Sequence, residues 1–265
     1  MCDLSERFVA SIAQALNADQ VPCVLWGHCL LNVYGIPSII GVGNLQLGNF
    51  SPLLTPKSID FVIPDASLRV GIETLTQFKS LTPCPDCGEC PSSSQERYTP
   101  PPAFHMHVQD SEVTVALYPQ SETIWFLPVL DSSFLCAKQL KLPSHFMLAS
   151  DQSNLPPQRP GRGSGVFKSD QDLVIVPKSH ILLEAFLRLY ARDSGKRIGA
   201  FAMAMIGYVE EYIDDDGFLD ASLLPEPLKT SYNELRQGKK PVRQWTKELK
   251  EALGNFEDPE DNCSS

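Results

Sequence analysis

Proline recurs so often in this chain, 22 times in 265 residues, that its regular elements have to be short. Each pyrrolidine ring holds φ near about −65° and removes a backbone donor, so a helix interior rarely survives one. Many interrupted segments and few long helices are therefore expected. The 43 % hydrophobic content still supplies core for one large domain or two modest ones.

Charge narrows the function classes. Thirty-two acidic residues against 22 basic ones leave a formal net charge of -10, which disfavours nucleic acid as a partner because the phosphate backbone selects for lysine and arginine. The basic runs at residues 158–162 and 236–240 read as solvated loops. Residues 1–7 carry acids where a signal peptide would carry an apolar core, and no stretch approaches the roughly 18 apolar residues of a membrane span. A cytoplasmic or nuclear protein without membrane contact is expected. Its eight cysteines are then reduced thiols or metal ligands before they are disulfides.

Periodicity places the elements. Residues 4–17 carry Phe8, Val9, Ile12 and Leu16 on one helical stripe. Residues 21–26 read as a strand and 28–34 as a helical turn closed by Gly35 and Pro37. Residues 58–63 alternate cleanly, with Ile59, Phe61 and Ile63 on one face and Ser58, Asp60 and Val62 on the other, and Pro64 ends them. A helix is expected over 67–80, and a Pro/Ser/Cys-rich loop over 83–102. A hairpin of 104–109 and 112–117 should turn at Asp110-Ser111, with a further apolar strand at 123–127. Residues 150–170 form a polar linker. A strand at 173–176 and helices over 179–193, 197–212 and 241–253 follow, then an acidic end. The division expected is 1–150, a linker at 151–170, a helical region at 171–255 and a tail at 256–265.

Val24-Leu25-Trp26-Gly27-His28 with its turn, then Ser58-Ile59-Asp60-Phe61-Val62-Ile63-Pro64, resembles the opening of a polymerase-beta-type nucleotidyltransferase. More narrowly, the chain resembles fungal nucleotidyltransferase-like proteins. The likeness runs on through residues 174–189 to Tyr212-Ile213-Asp214-Asp215-Asp216-Gly217. It implies an α+β fold, a small mixed sheet flanked by helices, with a helical C-terminal region. In active members of that fold a small Gly-Ser or Gly-Gly turn holds the triphosphate, a strand presents Asp-x-Asp, and a neighbouring strand adds a third carboxylate. Carboxylates at i and i+2 of a strand share a face and clamp two Mg²⁺ ions.

Here that pattern is incomplete. Gly27-His28 stands where the small pair would be, Ser58 replaces the first aspartate, and Val113-Thr114-Val115-Ala116-Leu117 offers no internal acid. The resemblance therefore implies a degraded catalytic centre acting as a nucleotide-binding or protein-interaction module. The alternatives are an active Mg²⁺-dependent enzyme with Gly27 and His28 near phosphate and Asp60 on the metal, and a zinc-stapled interaction protein.

Residues 42–57 show neither strand nor helix pattern. Removing them joins Gly41 to Ser58 and restores the spacing of the resembling proteins. Val42 can open with GT, Leu54-Thr55 can encode CTAAC, and Lys57 can end in AG. The segment reads either as an unspliced intron or as a surface insertion; transcripts that keep it throughout would overturn the first reading.

Cys84-Pro85-Asp86-Cys87-Gly88-Glu89-Cys90 is the sharpest local chemistry. Two-residue spacings let thiolates turn toward one ion, and His105 and His107 share one face of the following strand, so Cys84, Cys87, Cys90, His105 and His107 are the candidate ligands of a structural Zn²⁺. Reduced loop thiols and redox chemistry stand beside that reading. An iron–sulfur cluster lacks a fourth nearby cysteine. Asp214-Asp215-Asp216-Gly217 lacks the twelfth-position acid of a calcium loop, since Pro225 stands there, and reads as a helix end.

Overall fold

The computed structural model describes residues 6–37, 58–85, 90, 92–93, 99–135, 142–157, 159, 167 and 173–254. Residues 42–57 and Cys87 lie outside them, as does most of the 158–170 segment. The chain divides into two compact units, Met1–Lys178 and Ser179–Ser265. No helix among the described residues is long and apolar enough to cross a membrane.

Unit one is α+β. Helix α1 (Glu6–Ala18) buries Val9, Ile12 and Leu16, and Val21 N–H donates to the Leu16 carbonyl at 2.8 Å where it ends. Strand β1 (Val24–Trp26) leads into the short helix α2 (Gly27–Val33). Strand β2 (Ser58–Ile63) is followed by a 3-10 turn at Asp65–Ser67 and helix α3 (Leu68–Thr76). Strands β3 (Leu81–Pro83), β4 (Phe104–Val108) and β5 (Thr114–Pro119) complete a five-stranded sheet ordered β1-β2-β5-β4-β3. Strands β2 and β5 run parallel, and every other neighbouring pair is antiparallel.

The alternation of β2 gives that sheet two unlike faces. Ile59, Phe61 and Ile63 join Val115 and Leu117 on one of them. Helix α3 packs there so closely that a Cβ on Gly71 would lie 3.0 Å from Ile63 Cδ1 and 3.1 Å from Leu117 Cδ1. The other face carries two cross-strand rows, Trp26-Asp60-Ala116-His105 and Ser58-Thr114-His107-Thr82. Ser58, Asp60, Thr114 and His105 in those rows are buried polar side chains.

Several elements differ from the sequence expectation. The apolar segment at 123–127 is no strand: a one-turn helix α4 (Gln120–Thr123) runs into its first residue, and the Gln120 side chain bonds the backbone of Leu127, Pro128 and Leu130. That amide satisfies a bend which strand pairing would otherwise have to satisfy. Helix α3 stops at Thr76, and residues 77–80 turn the chain into β3. Strand β6 (Phe146–Leu148) pairs antiparallel with β7 (Ile175–Pro177), and the Tyr34 hydroxyl donates to the Pro177 carbonyl at 2.6 Å.

Unit two is helical. Helix α5 (Ser179–Asp193) is buried on most faces and α6 (Arg197–Val209) continues into a π-helical turn at Glu210–Asp214. Helices α7 (Leu228–Arg236) and α8 (Val242–Ala252) follow. Trp245 of α8 stacks on Tyr190 of α5 at a 5.6 Å centroid distance and donates its indole N–H to the Ser231 carbonyl. Asp214 accepts from Tyr232 Oη at 2.8 Å and pairs with Arg236 at 3.0 Å, so the acidic run is tied into α7.

Candidate metal centre

Strand β4 is where the candidate ligands begin. His105 and His107 stand at i and i+2, so both point to the polar face while Met106 between them points to the apolar one. Strand β3 runs antiparallel to β4, with Thr82 opposite His107 and Pro83 opposite Met106. One more residue along that register, Cys84 comes opposite His105. Proline ends the ladder at position 83, and the thiol that follows is delivered to the imidazole across the strand.

Cys90 closes the group. Its Sγ lies 3.4 Å from His105 Nε2 and 3.5 Å from His107 Nε2. The ligand atoms of Cys84, Cys90, His105 and His107 all fall within 4.8 Å of one another. Zinc–sulfur bonds of about 2.3 Å and zinc–nitrogen bonds of about 2.0–2.1 Å place sulfur and nitrogen about 3.5 Å apart on a tetrahedral edge. Cys90 meets that length twice. At these distances Cys90 can equally donate to one imidazole and accept from the other, the tautomers deciding which; Cys84 beside them is what makes the group a ligand set. Cys90 and His105 are buried, and Cys84 and His107 half-buried, so the group is shielded but reachable from one side.

Four of the five expected ligands therefore meet, and the fifth, Cys87, lies outside the described residues. The four supply two sulfurs and two nitrogens, the donor number and softness that suit zinc. Ser92 follows on the same loop, its Oγ 3.4 Å from Thr114 Oγ1.

The other expected site lies in the same face at the far side of β5. Asp60 is opposite Trp26 on β1 and Ala116 on β5, and Ser58 Oγ donates to its Oδ2 at 2.9 Å. Gly27 turns the chain from β1 into α2 at φ +61°, and a Cβ there would sit 2.0 Å from Asp60 Oδ2. Only glycine leaves room for that carboxylate. His28 is half-buried in the first turn of α2. Cys29 follows in the same turn. Its Sγ approaches the Ser58 carbonyl at 3.7 Å, and burial, with Asp60 beside it, pushes its thiol up to about 12. Burial alone lifts Cys23 to about 12.

The positions that would need further carboxylates carry none: Thr114 stands across from Ser58, and Ala116 across from Asp60. No protein-family model matches this chain, and no curated protein or solved structure matches it.

Proposed function

We propose that the protein is a zinc-stapled interaction protein, built on a nucleotidyltransferase-like sheet that keeps one carboxylate and has lost two-metal chemistry. The observation that carries this reading is the convergence of Cys84, Cys90, His105 and His107 within 4.8 Å. A closed set of four protein ligands leaves no position for water or substrate, so the ion's role is structural. It fastens the end of β3 and the loop bearing Cys90 to β4. The binding free energy of such an ion acts as folding free energy for the segment it holds.

A single carboxylate supports the non-catalytic half of the reading. Asp60 is 5 % exposed and bonded by Ser58, and its partner on β5 is Ala116, with Thr114 opposite Ser58. Two divalent ions need several hard oxygen ligands. Function by contact with a protein partner follows, with the metal holding the contacting surface in shape.

One observation favours a second reading. Gly27 abuts the carboxylate of Asp60, which keeps a turn and an acid together as an Mg²⁺-triphosphate site requires. Two measurements separate the readings. Elemental analysis of purified protein should find one zinc per chain, lost in His107→Ala. Calorimetric titration of Mg²⁺-nucleoside triphosphates should show no saturable heat. Saturable binding abolished in Asp60→Asn would replace the interaction reading with the nucleotide one.

A further inference from the structure

We propose that Cys84 and Cys90 form a site of oxidative modification, at which hydrogen peroxide joins the two sulfurs as a disulfide and releases the metal ion. The inference rests on the zinc reading above. It adds a reaction that a purely structural ion does not require.

The two sulfurs differ in access and agree in position. Both belong to one ligand group spanning at most 4.8 Å, against about 2.0 Å for a disulfide. They must close by less than 3 Å, within a stretch of seven residues whose closure entropy is small. Cys90 is 7 % exposed and Cys84 half-buried. A small oxidant entering from solvent therefore meets Cys84 first, and Cys90 stands behind it as the resolving thiol.

The electron balance closes with peroxide alone. The Cys84 thiolate attacks one peroxide oxygen; a sulfur–oxygen bond forms, the oxygen–oxygen bond breaks and hydroxide leaves. The Cys90 thiolate then attacks the Cys84 sulfur; the disulfide forms, the sulfur–oxygen bond breaks and a second hydroxide leaves. Two sulfurs have lost two electrons and peroxide has gained two, while zinc stays Zn²⁺. Both hydroxides take up protons as water. Two imidazoles remain as ligands, too few for a stable zinc site.

Selectivity follows from the other described cysteines. Cys23 turns its thiol toward the Ala13 carbonyl and Asn17 Oδ1, and Cys29 toward the Ser58 carbonyl. Cys23 is buried and Cys29 half-buried, and both hold their protons to about pH 12. The thiolate is the nucleophile, so these two are poor targets under conditions that oxidise metal-bound sulfur.

The experiment uses the full chain and its Cys87→Ser variant, so that the third cysteine of the run cannot be the partner. Zinc content is measured first. One equivalent of hydrogen peroxide is then added, release is followed with a chromophoric chelator, and the peptide covering residues 80–97 is weighed. The expected result is one zinc released per disulfide in both proteins, dimedone capture at Cys84 and not Cys90, and rebinding after dithiothreitol and zinc. Zinc that is present and stays bound would overturn this inference alone, as would sulfinic acid without a disulfide. Protein lacking zinc before any oxidant would overturn the metal reading and this inference together.

Discussion

Replacing Gly27 by alanine tests the closest contact in the N-terminal unit. The new Cβ would lie 2.0 Å from Asp60 Oδ2 and 2.9 Å from its Cγ, so the carboxylate has to leave its place. It then loses the 2.9 Å bond from Ser58 Oγ, and a hydrogen bond to a charged group is worth about 1.5–3 kcal/mol. Alanine at φ +61° adds a left-handed strain of about 1–2 kcal/mol. The two effects together predict a loss of about 2.5–5 kcal/mol, which with a urea m-value of about 2 kcal/mol/M moves the midpoint down by about 1.2–2.5 M. A double-mutant cycle separates them. In an Asp60→Ala background the contacts at 2.0 and 2.9 Å disappear, leaving the strain and one 3.2 Å contact with the Cβ of residue 60, so the cost of Gly27→Ala should fall toward about 1–2 kcal/mol there. Asp60→Asn, of the same shape, should leave the clash and the strain in place and lose only the extra strength of a bond to a charged acceptor. Equal costs of Gly27→Ala in the native and Asp60→Ala proteins would refute the proposed contact between the turn and the carboxylate.

The ligand set makes a sharp prediction: Cys87→Ser retains one zinc per chain by elemental analysis, whereas Cys90→Ser, which removes the sulfur shared by both imidazoles, loses it. Cys23 sets an alkaline limit. Its thiol stays protonated to about 12 in the folded protein against 9.0 ordinarily, so its contribution is complete below pH 9 and falls between pH 9 and 12 as only the unfolded chain ionises. Urea midpoints should drop over that window, by up to about 1.4 kcal/mol per pH unit from this group, and drop less steeply in Cys23→Ala. Tyr34→Phe leaves the Pro177 carbonyl without its 2.6 Å partner and should cost about 1–3 kcal/mol in thermal or urea unfolding.

What could be read from the chain beforehand was whatever depended on local periodicity. Residues 58–63 alternate strictly and stop at Pro64, so β2 was legible to the residue; α5 opens at Ser179 and closes at Asp193 as its apolar pattern indicated. The histidine pair was legible for the same reason, since i and i+2 of any strand share a face. Strands β3 and β6 were not: each has three residues, too few to show alternation, and β3 ends in a proline that reads as loop. Helix α7 has only Leu228, Tyr232 and Leu235 as apolar residues, and its burial depends on neighbours distant in sequence. Because β3 was hidden, so was the register that carries Cys84 opposite His105. Residue types marked out the metal group, but only strand pairing places Cys84 within it.

The sheet's connectivity also bears on the order in which the N-terminal unit assembles. Strands β3, β4 and β5 pair antiparallel with their sequence neighbours, and all four clustered ligands fall between residues 84 and 107. Joining β5 to β2 aligns Ser58 with Thr114, a far longer closure and a parallel one, of the kind that slows folding. An ion that binds the meander early would therefore act on the rate of folding more than on the rate of unfolding. Metal supply during synthesis, and not only in the mature protein, would then govern how much of the chain reaches its native state.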